Sequence, residues 1–133
     1  MPVDQSLVGR SFPPTGPYGV TEEKVREFVA ATGGEYAGGP APATYPIVLA
    51  FGAMNAFLEA ERIDLFRIVH GEQKFAYQRP IAPGDVLTAT LTVASLRQIA
   101  GNDIIGTTSE IRDADGALVC STSATLVHRG AEA

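Results

Sequence analysis

Along the chain the spacing of apolar positions changes from helix-like to strand-like near residue 68. Val25, Phe28, Val29 and Thr32 recur at i, i+3, i+4 and i+7, the spacing of one buried helix face. Thr21 is a good N-cap for that helix. Glu22 and Glu23 suit its positive end, and Gly33-Gly34 stop it. Gly33 to Pro42, rich in Gly, Pro and Ala, reads as loop. A second helix is predicted from about Pro46 to Glu61, with Pro46 in its first turn. Its run from Ile47 to Ala60 is apolar nearly all round, with Asn55, Glu59, Glu61 and Arg62 as the wet positions, so it must be buried on most sides.

From Ile68 the period is two. Phe75 and Tyr77 share one strand face; Lys74 and Gln78 share the other. Pro80, Pro83, Gly84 and Asp85 make a turn into a strand from Val86 to Ser95. Gly101-Asn102-Asp103 reads as a turn before a strand from Ile104 to Arg112. Asp113-Ala114-Asp115-Gly116 then forms a hairpin loop, and a last strand runs from Leu118 to His128. The first twenty residues read as extended, turn-rich chain with a short strand near Tyr18 to Val20. A sheet buries an all-round apolar helix by curling around it or by joining a second sheet. The expected fold is therefore α+β, either an antiparallel sheet wrapped on a central helix or an ordinary α+β sandwich.

Length, at 133 residues, suits one domain spanning 1–133. Hydrophobic residues make up 45% and charged residues 19%, enough for a packed core. The net charge of −5 comes with no Lys/Arg cluster, which argues against nucleic acid or an anionic membrane as partner. Arg62, Arg67, Lys74 and Arg79 are near enough in sequence to offer a local basic patch to an acidic carrier. The lone cysteine, Cys120, sits in an alternating strand and reads as a small buried hydrophobe, which fits a reducing compartment. No apolar run nears the ~18 residues of a membrane span and the start lacks a signal-like h-region, so the expected location is the cytoplasm.

The segment HGEQKFAYQRPIAPGD, His70 to Asp85, resembles the N-terminal-type, FAS1-like MaoC dehydratase domain. The opening DQSLVGRSFPPTGPYGVTEEKVREF and the tail GNDIIGTTSEIRDADGALVCSTSATLV resemble the same group. Within it the chain is most similar to the non-catalytic subunit of actinobacterial (3R)-hydroxyacyl-ACP dehydratases. The resemblance implies a hot-dog fold. It also implies a pairing partner, either a catalytic hot-dog subunit or a second copy, and an acyl-ACP or acyl-CoA substrate in fatty-acid or polyketide synthesis. Active relatives carry Gly-Asp-x-Asn-Pro-x-His after the first helix. Here no Asp lies between Thr21 and Arg62 and no His precedes His70. What survives is Ala41-Pro42-Ala43-Thr44-Tyr45, leading into the buried helix.

Dehydrating a 3-hydroxyacyl thioester needs a base for the α-proton and an acid for the departing hydroxyl. Unpaired N–H groups at a helix N-terminus can polarise the carbonyl, which makes Thr44, Tyr45, Pro46 and Ile47 candidate substrate contacts. Each of them also serves simply to start a helix. His70 and Glu72, at i and i+2 of a strand, are expected on one face, as a candidate catalytic pair or a structural hydrogen bond. Gly71 permits close backbone approach, and Glu72 and Gln73 are candidates to bind or gate the acyl chain. His128 is placed in the C-terminal tail, outside the site. No metal-ligand cluster, phosphate loop or cofactor motif stands out. Three readings follow: a non-catalytic dehydratase subunit, a homodimeric hydratase or thioesterase using His70 and Glu72, or a catalytically dead acyl-thioester binder.

Overall fold

The computed structural model describes residues 4–130. Its elements, in chain order, are β1 (Tyr18–Gly19), α1 (Glu22–Ala31), α2 (Ile47–Ala60), β2 (Ile68–Tyr77), β3 (Val86–Ile99), β4 (Asn102–Arg112) and β5 (Leu118–His128), with short 3-10 turns at Gln5–Leu7 and Leu65–Arg67. The strands form one antiparallel sheet in the order β1-β3-β4-β5-β2, curled around α2 as a hot-dog domain requires. The outer edge of β3 is covered by the N-terminal segment, through Gly9 N–H to Val93 C=O at 2.7 Å and Phe12 N–H to Leu91 C=O at 2.9 Å. β2 pairs only with β5, so its outer edge is open among the described residues. An open strand edge is a template for another chain.

Local chemistry explains the helix ends. Thr21 Oγ1 accepts from Lys24 N–H at 3.1 Å, and Gly33, at φ +90°, closes α1 with Gly34 N–H bonded to Val29 C=O. The same closing motif ends α2, where Ile63 N–H reaches Leu58 C=O and Arg62 N–H reaches Glu59 C=O. There the left-handed position is held by Arg62, at φ +57°, in place of the usual glycine.

The core is the volume between α2 and the concave face of the sheet. Leu49, Ala53, Met54, Phe57 and Leu58 of α2 pack with Leu87, Leu91, Val93, Ile105, Ile111 and Leu126. Phe12 meets Phe57 edge-on at 5.0 Å and Phe28 meets Tyr45 at 5.2 Å, so the N-terminal segment and α1 cover one flank of α2. The opposite flank, toward β2, leaves Phe51 45% exposed. Cys120 is fully buried, and burial pushes its thiol pKa up, as expected of a structural cysteine.

One turn differs from the sequence reading. β3 continues to Ile99 rather than ending at Ser95, and Asn102 and Asp103 already belong to β4. The connection is a two-residue turn at Ala100 and Gly101, both with positive φ, the geometry that suits a twisted hairpin. Strand pairing past Ser95 survives a bulge between Val93 and Ser95, which a plain alternation count does not anticipate.

Candidate functional site

The Pro80–Asp85 turn is a tie rather than a binding element. The Asp85 carboxylate accepts from Arg79 at 2.9 and 3.2 Å and from Ala82 N–H at 2.9 Å. Arg79 also donates to Asp113 at 3.3 Å, which pins the β4–β5 hairpin to the end of β2. Burial alone would push Asp85 upward, but the Arg79 and Ala82 hydrogen bonds outweigh it and hold the carboxyl below its ordinary value. Asp113 is lowered by the Ala117 N–H and by Arg79. Arg79 is thus engaged, and Arg67 donates to the Arg129 carbonyl at the opposite end of β2. About 12 residues of extended chain separate the two arginines, on the order of 40 Å. Lys74 sits beside Glu72 at 3.8 Å. Arg67 and Arg79 are thus held at opposite ends of β2, with Lys74 paired between them.

At the start of α2, Tyr45 is fully buried and its hydroxyl meets that of Tyr18 at 2.8 Å. Burial, then the Tyr18 hydrogen bond, raises the Tyr45 phenol well above its ordinary value. The expected carbonyl-polarising donors are largely spent within the chain. Tyr45 N–H goes to Pro42 C=O, Ile47 N–H to Thr44 C=O, Val48 N–H to Tyr45 C=O and Leu49 N–H to Pro46 C=O, at 2.9–3.1 Å. Pro46 has no N–H to offer. The preceding loop is fastened to β2, where Tyr77 donates its hydroxyl to Ala43 C=O at 2.6 Å. Burial pushes the Tyr77 phenol up to about 12. A cleft lies beside it, lined by Pro40, Ala41, Ala43, Tyr77, Gln78 and Arg79.

His70 and Glu72 do not share a face. The pairing of β2 with β5 runs His70 to Leu126 and then Glu72 to Thr125, so Gly71 is an extra, bulged residue. One extra residue reverses the alternation. His70 and Gln73 therefore point together toward α2, with His70 Nε2 2.8 Å from Gln73 Oε1. Glu72 turns outward to Lys74 and to the Thr125 hydroxyl at 3.5 Å. The expected His70–Glu72 pair is corrected to a His70–Gln73 pair.

His70 and Gln73 line a slot between α2 and the sheet. Its roof is Ile47, Ala50, Phe51 and Met54; its floor includes Leu91, Ala124, Thr107, Ser109 and Thr122. The slot is narrow, with a cavity volume of about 10 Å³, room for a single water. Thr107, Ser109 and Thr122 are buried, at 2–5% exposure. Among the described residues the buried side-chain polar atom without a partner is Gln73 Nε2. An unpaired polar group in such a place costs about 1–3 kcal/mol. Alternation showed these positions face inward, but sequence reasoning did not select them, because Ser and Thr are common in strands. Four polar side chains among otherwise apolar inward positions was the available signal.

His128 lies where the strand pattern ended and not in a free tail. It ends β5, is 8% exposed, and its Nδ1 lies 3.1 Å from Asp103 Oδ2, with Gln98 donating to Asp103 Oδ1 at 3.0 Å. The strand pairing brings Asp103, His128 and Ile68 into one row, away from the slot. Among the described residues there is no cluster of three or more metal-ligating side chains, and no helix is long and apolar enough to cross a membrane.

Comparison with known proteins bears on what this slot serves. The model of the family described as FAS1-like, dehydratase domain region, matches residues 6–122. A UPF0336 protein of Streptomyces avermitilis is 40% identical over 148 aligned positions, covering 99% of both chains. A UPF0336 protein of Clavibacter michiganensis is 41% identical over 149 positions, with both chains fully covered. Among solved structures, a chain of a C-terminally truncated HadBC (3R-hydroxyacyl-ACP dehydratase) complex from Mycobacterium tuberculosis superposes with a TM-score of 0.81 at 26% identity, covering 96% of this chain and 99% of that one. A MaoC-like dehydratase superposes at 0.79 with 29% identity, over 96% of this chain and 43% of the other.

Proposed function

The chain belongs to the FAS1-like dehydratase-region family, and from that premise we propose that it is the non-catalytic subunit of a (3R)-hydroxyacyl-thioester dehydratase. A partner hot-dog subunit supplies the acid and base, while this chain supplies a wall of the acyl tunnel. One observation carries the reading: the loop between α1 and α2, where active relatives hold Asp and His, contains Glu35, Tyr36 and Tyr45 as its only ionisable side chains. Tyr45 is locked in the core. The open β2 edge and the half-exposed Phe51 beside the slot are the surfaces that pairing would cover. The solved relative from M. tuberculosis is itself a complex of dehydratase subunits. The alternative, an enzyme using His70 with Glu72, is disfavoured because the Gly71 bulge sends Glu72 to the opposite face.

The division of labour is as follows. The partner's base removes the α-proton and its acid protonates the leaving hydroxyl. This chain orders the acyl chain along α2 and excludes water from the reacting carbons. A general acid or base contributes ~10²–10⁴ in rate, so a chain lacking both retains positioning alone.

The test is hydration of a crotonyl thioester by the isolated chain, and by the chain co-purified with a hot-dog subunit carrying an intact Gly-Asp-x-Asn-Pro-x-His motif. Background rates alone and robust turnover in the complex are expected. Turnover by the isolated chain, with a histidine-like limb in its pH profile that His70→Ala removes, would overturn the reading.

A further inference from the structure

Beyond the row of Ile68, His128 and Asp103 the sheet ends in residues of a different character. One step further along, Arg129 N–H bonds to Arg67 C=O at 2.8 Å, and Gly130 N–H bonds to Asn102 Oδ1 at 3.1 Å. Arg67, Arg129 and Asn102 therefore meet where β2 and β4 begin and β5 ends, and with Gly130 they line a cleft of about 460 Å³. Its donors are held in place. Arg67 is clamped by hydrogen bonds from Nε and Nη2 to Arg129 C=O, at 3.0 and 2.7 Å, which leaves Nη1 to donate elsewhere. Asn102 gives its oxygen to Gly130, so its amide nitrogen is the end left to donate. Gly130 packs so closely on the Gly101 carbonyl that a Cβ there would collide with it, which fixes the chain next to Arg129.

Two arginines on adjacent chain segments repel, as like charges across a sheet do. In a chain of net charge −5, an acidic neighbour would be the ordinary remedy. Among the described residues neither Arg67 nor Arg129 forms an ion pair, and no acidic side chain lines the cleft. Asp103, next to Asn102 in sequence, is buried and engaged by His128 and Gln98. We propose that this cleft is an anion site and that its ligand is a phosphate group. The inference goes beyond the dehydratase reading and stands without it. A guanidinium is a planar fork of donors that matches phosphate oxygens in pairs, and two of them supply the charge a phosphate needs. Asn102 adds a neutral donor that an anion accepts from and a cation does not. Free inorganic phosphate and the phosphate of a pantetheine arm share this chemistry, and the experiment separates them.

The test is a residue-resolved NMR titration of the full chain, in the assembly in which it purifies, with inorganic phosphate, 4′-phosphopantetheine and pantetheine. Saturable shifts at the Arg129 and Gly130 amides and at the Asn102 side-chain amide are expected with at least one phosphate probe and not with pantetheine. Tighter binding of 4′-phosphopantetheine than of inorganic phosphate assigns a carrier arm as the source; equal or weaker binding assigns a free phosphate. Arg129→Gln keeps the backbone carbonyl that clamps Arg67 and should weaken binding about tenfold. Asn102→Asp keeps the acceptor for Gly130 N–H but sets a negative charge in the cleft, and should abolish binding. Arg26→Gln, at an exposed arginine of α1 paired with Glu22, should leave affinity unchanged. Absence of binding by both phosphates would overturn the proposal. So would shifts that never saturate and spread over arginines elsewhere, equal binding of pantetheine, or binding that Arg129→Gln or Asn102→Asp leaves intact.

Discussion

Thr122→Val should make the protein more stable. Thr122 is 2% exposed and lines a slot whose other walls include Ile47, Met54 and Leu91. Valine has nearly the same shape and suits a β-strand at least as well. The substitution replaces a hydroxyl with a methyl group at a buried, largely apolar position, worth about 1–2 kcal/mol before hydration of the hydroxyl is counted. The slot is not fully closed, so a water can offset part of the hydroxyl's cost, and a net gain of about 1 kcal/mol is expected. For a chain of this size that raises the midpoint by roughly 3–5 °C. Urea denaturation of wild type and variant is the assay, with the slope unchanged and the midpoint shifted upward. A loss of about 1 kcal/mol or more would refute the reasoning, because it would show that the Thr122 hydroxyl is well satisfied in the resting protein.

Asp85→Asn should destabilise by about 1–2 kcal/mol, discounted for the partial exposure of Arg79. Because the folded carboxyl is depressed, its contribution is present above the ordinary value of 3.8 and is lost as pH falls through the folded value. Wild type and variant should therefore differ at pH 6 and converge below about pH 4 in denaturation curves. Arg62→Gly and Ala100→Gly relieve left-handed backbone at φ +57° and +53°, and each should stabilise by about 0.5–1 kcal/mol in thermal melts. Gly106→Ala would bring a Cβ against Ser95 Oγ, a side-chain end that can turn away; a melt should show a loss of about 1 kcal/mol or less, which the added change Ser95→Ala restores. Tyr77→Phe removes the hydrogen bond to Ala43 C=O and should cost about 1 kcal/mol, with faster amide exchange in the 38–44 loop as the specific sign.

Much of the architecture was legible in the sequence. The all-round apolar run Ile47–Ala60 called for burial on most sides, and the alternating strands after Ile68 left curling around it as one of two solutions. Caps and turns at Thr21, Gly33 and Asp113–Gly116 were likewise readable, because each depends on a few neighbouring residues. The missing Asp and His between the helices also needed no structure.

The site itself was decided by tertiary structure. Alternation counts residues, and the Gly71 bulge adds one that the count cannot see, so His70 pairs with Gln73 and Glu72 faces away. His128 ended a predicted strand, but its partner Asp103 lies 25 residues earlier and meets it only when β4 and β5 align. The donors at the start of α2 looked available until the chain's own carbonyls were found to accept most of them. Thr107, Ser109 and Thr122 are ordinary strand residues one at a time; strand register puts them in neighbouring rows that line one slot under α2. Local pattern fixes which face a side chain takes within a regular strand. Register, bulges and cross-strand neighbours are properties of chain segments far apart in sequence, and they decide what that side chain meets.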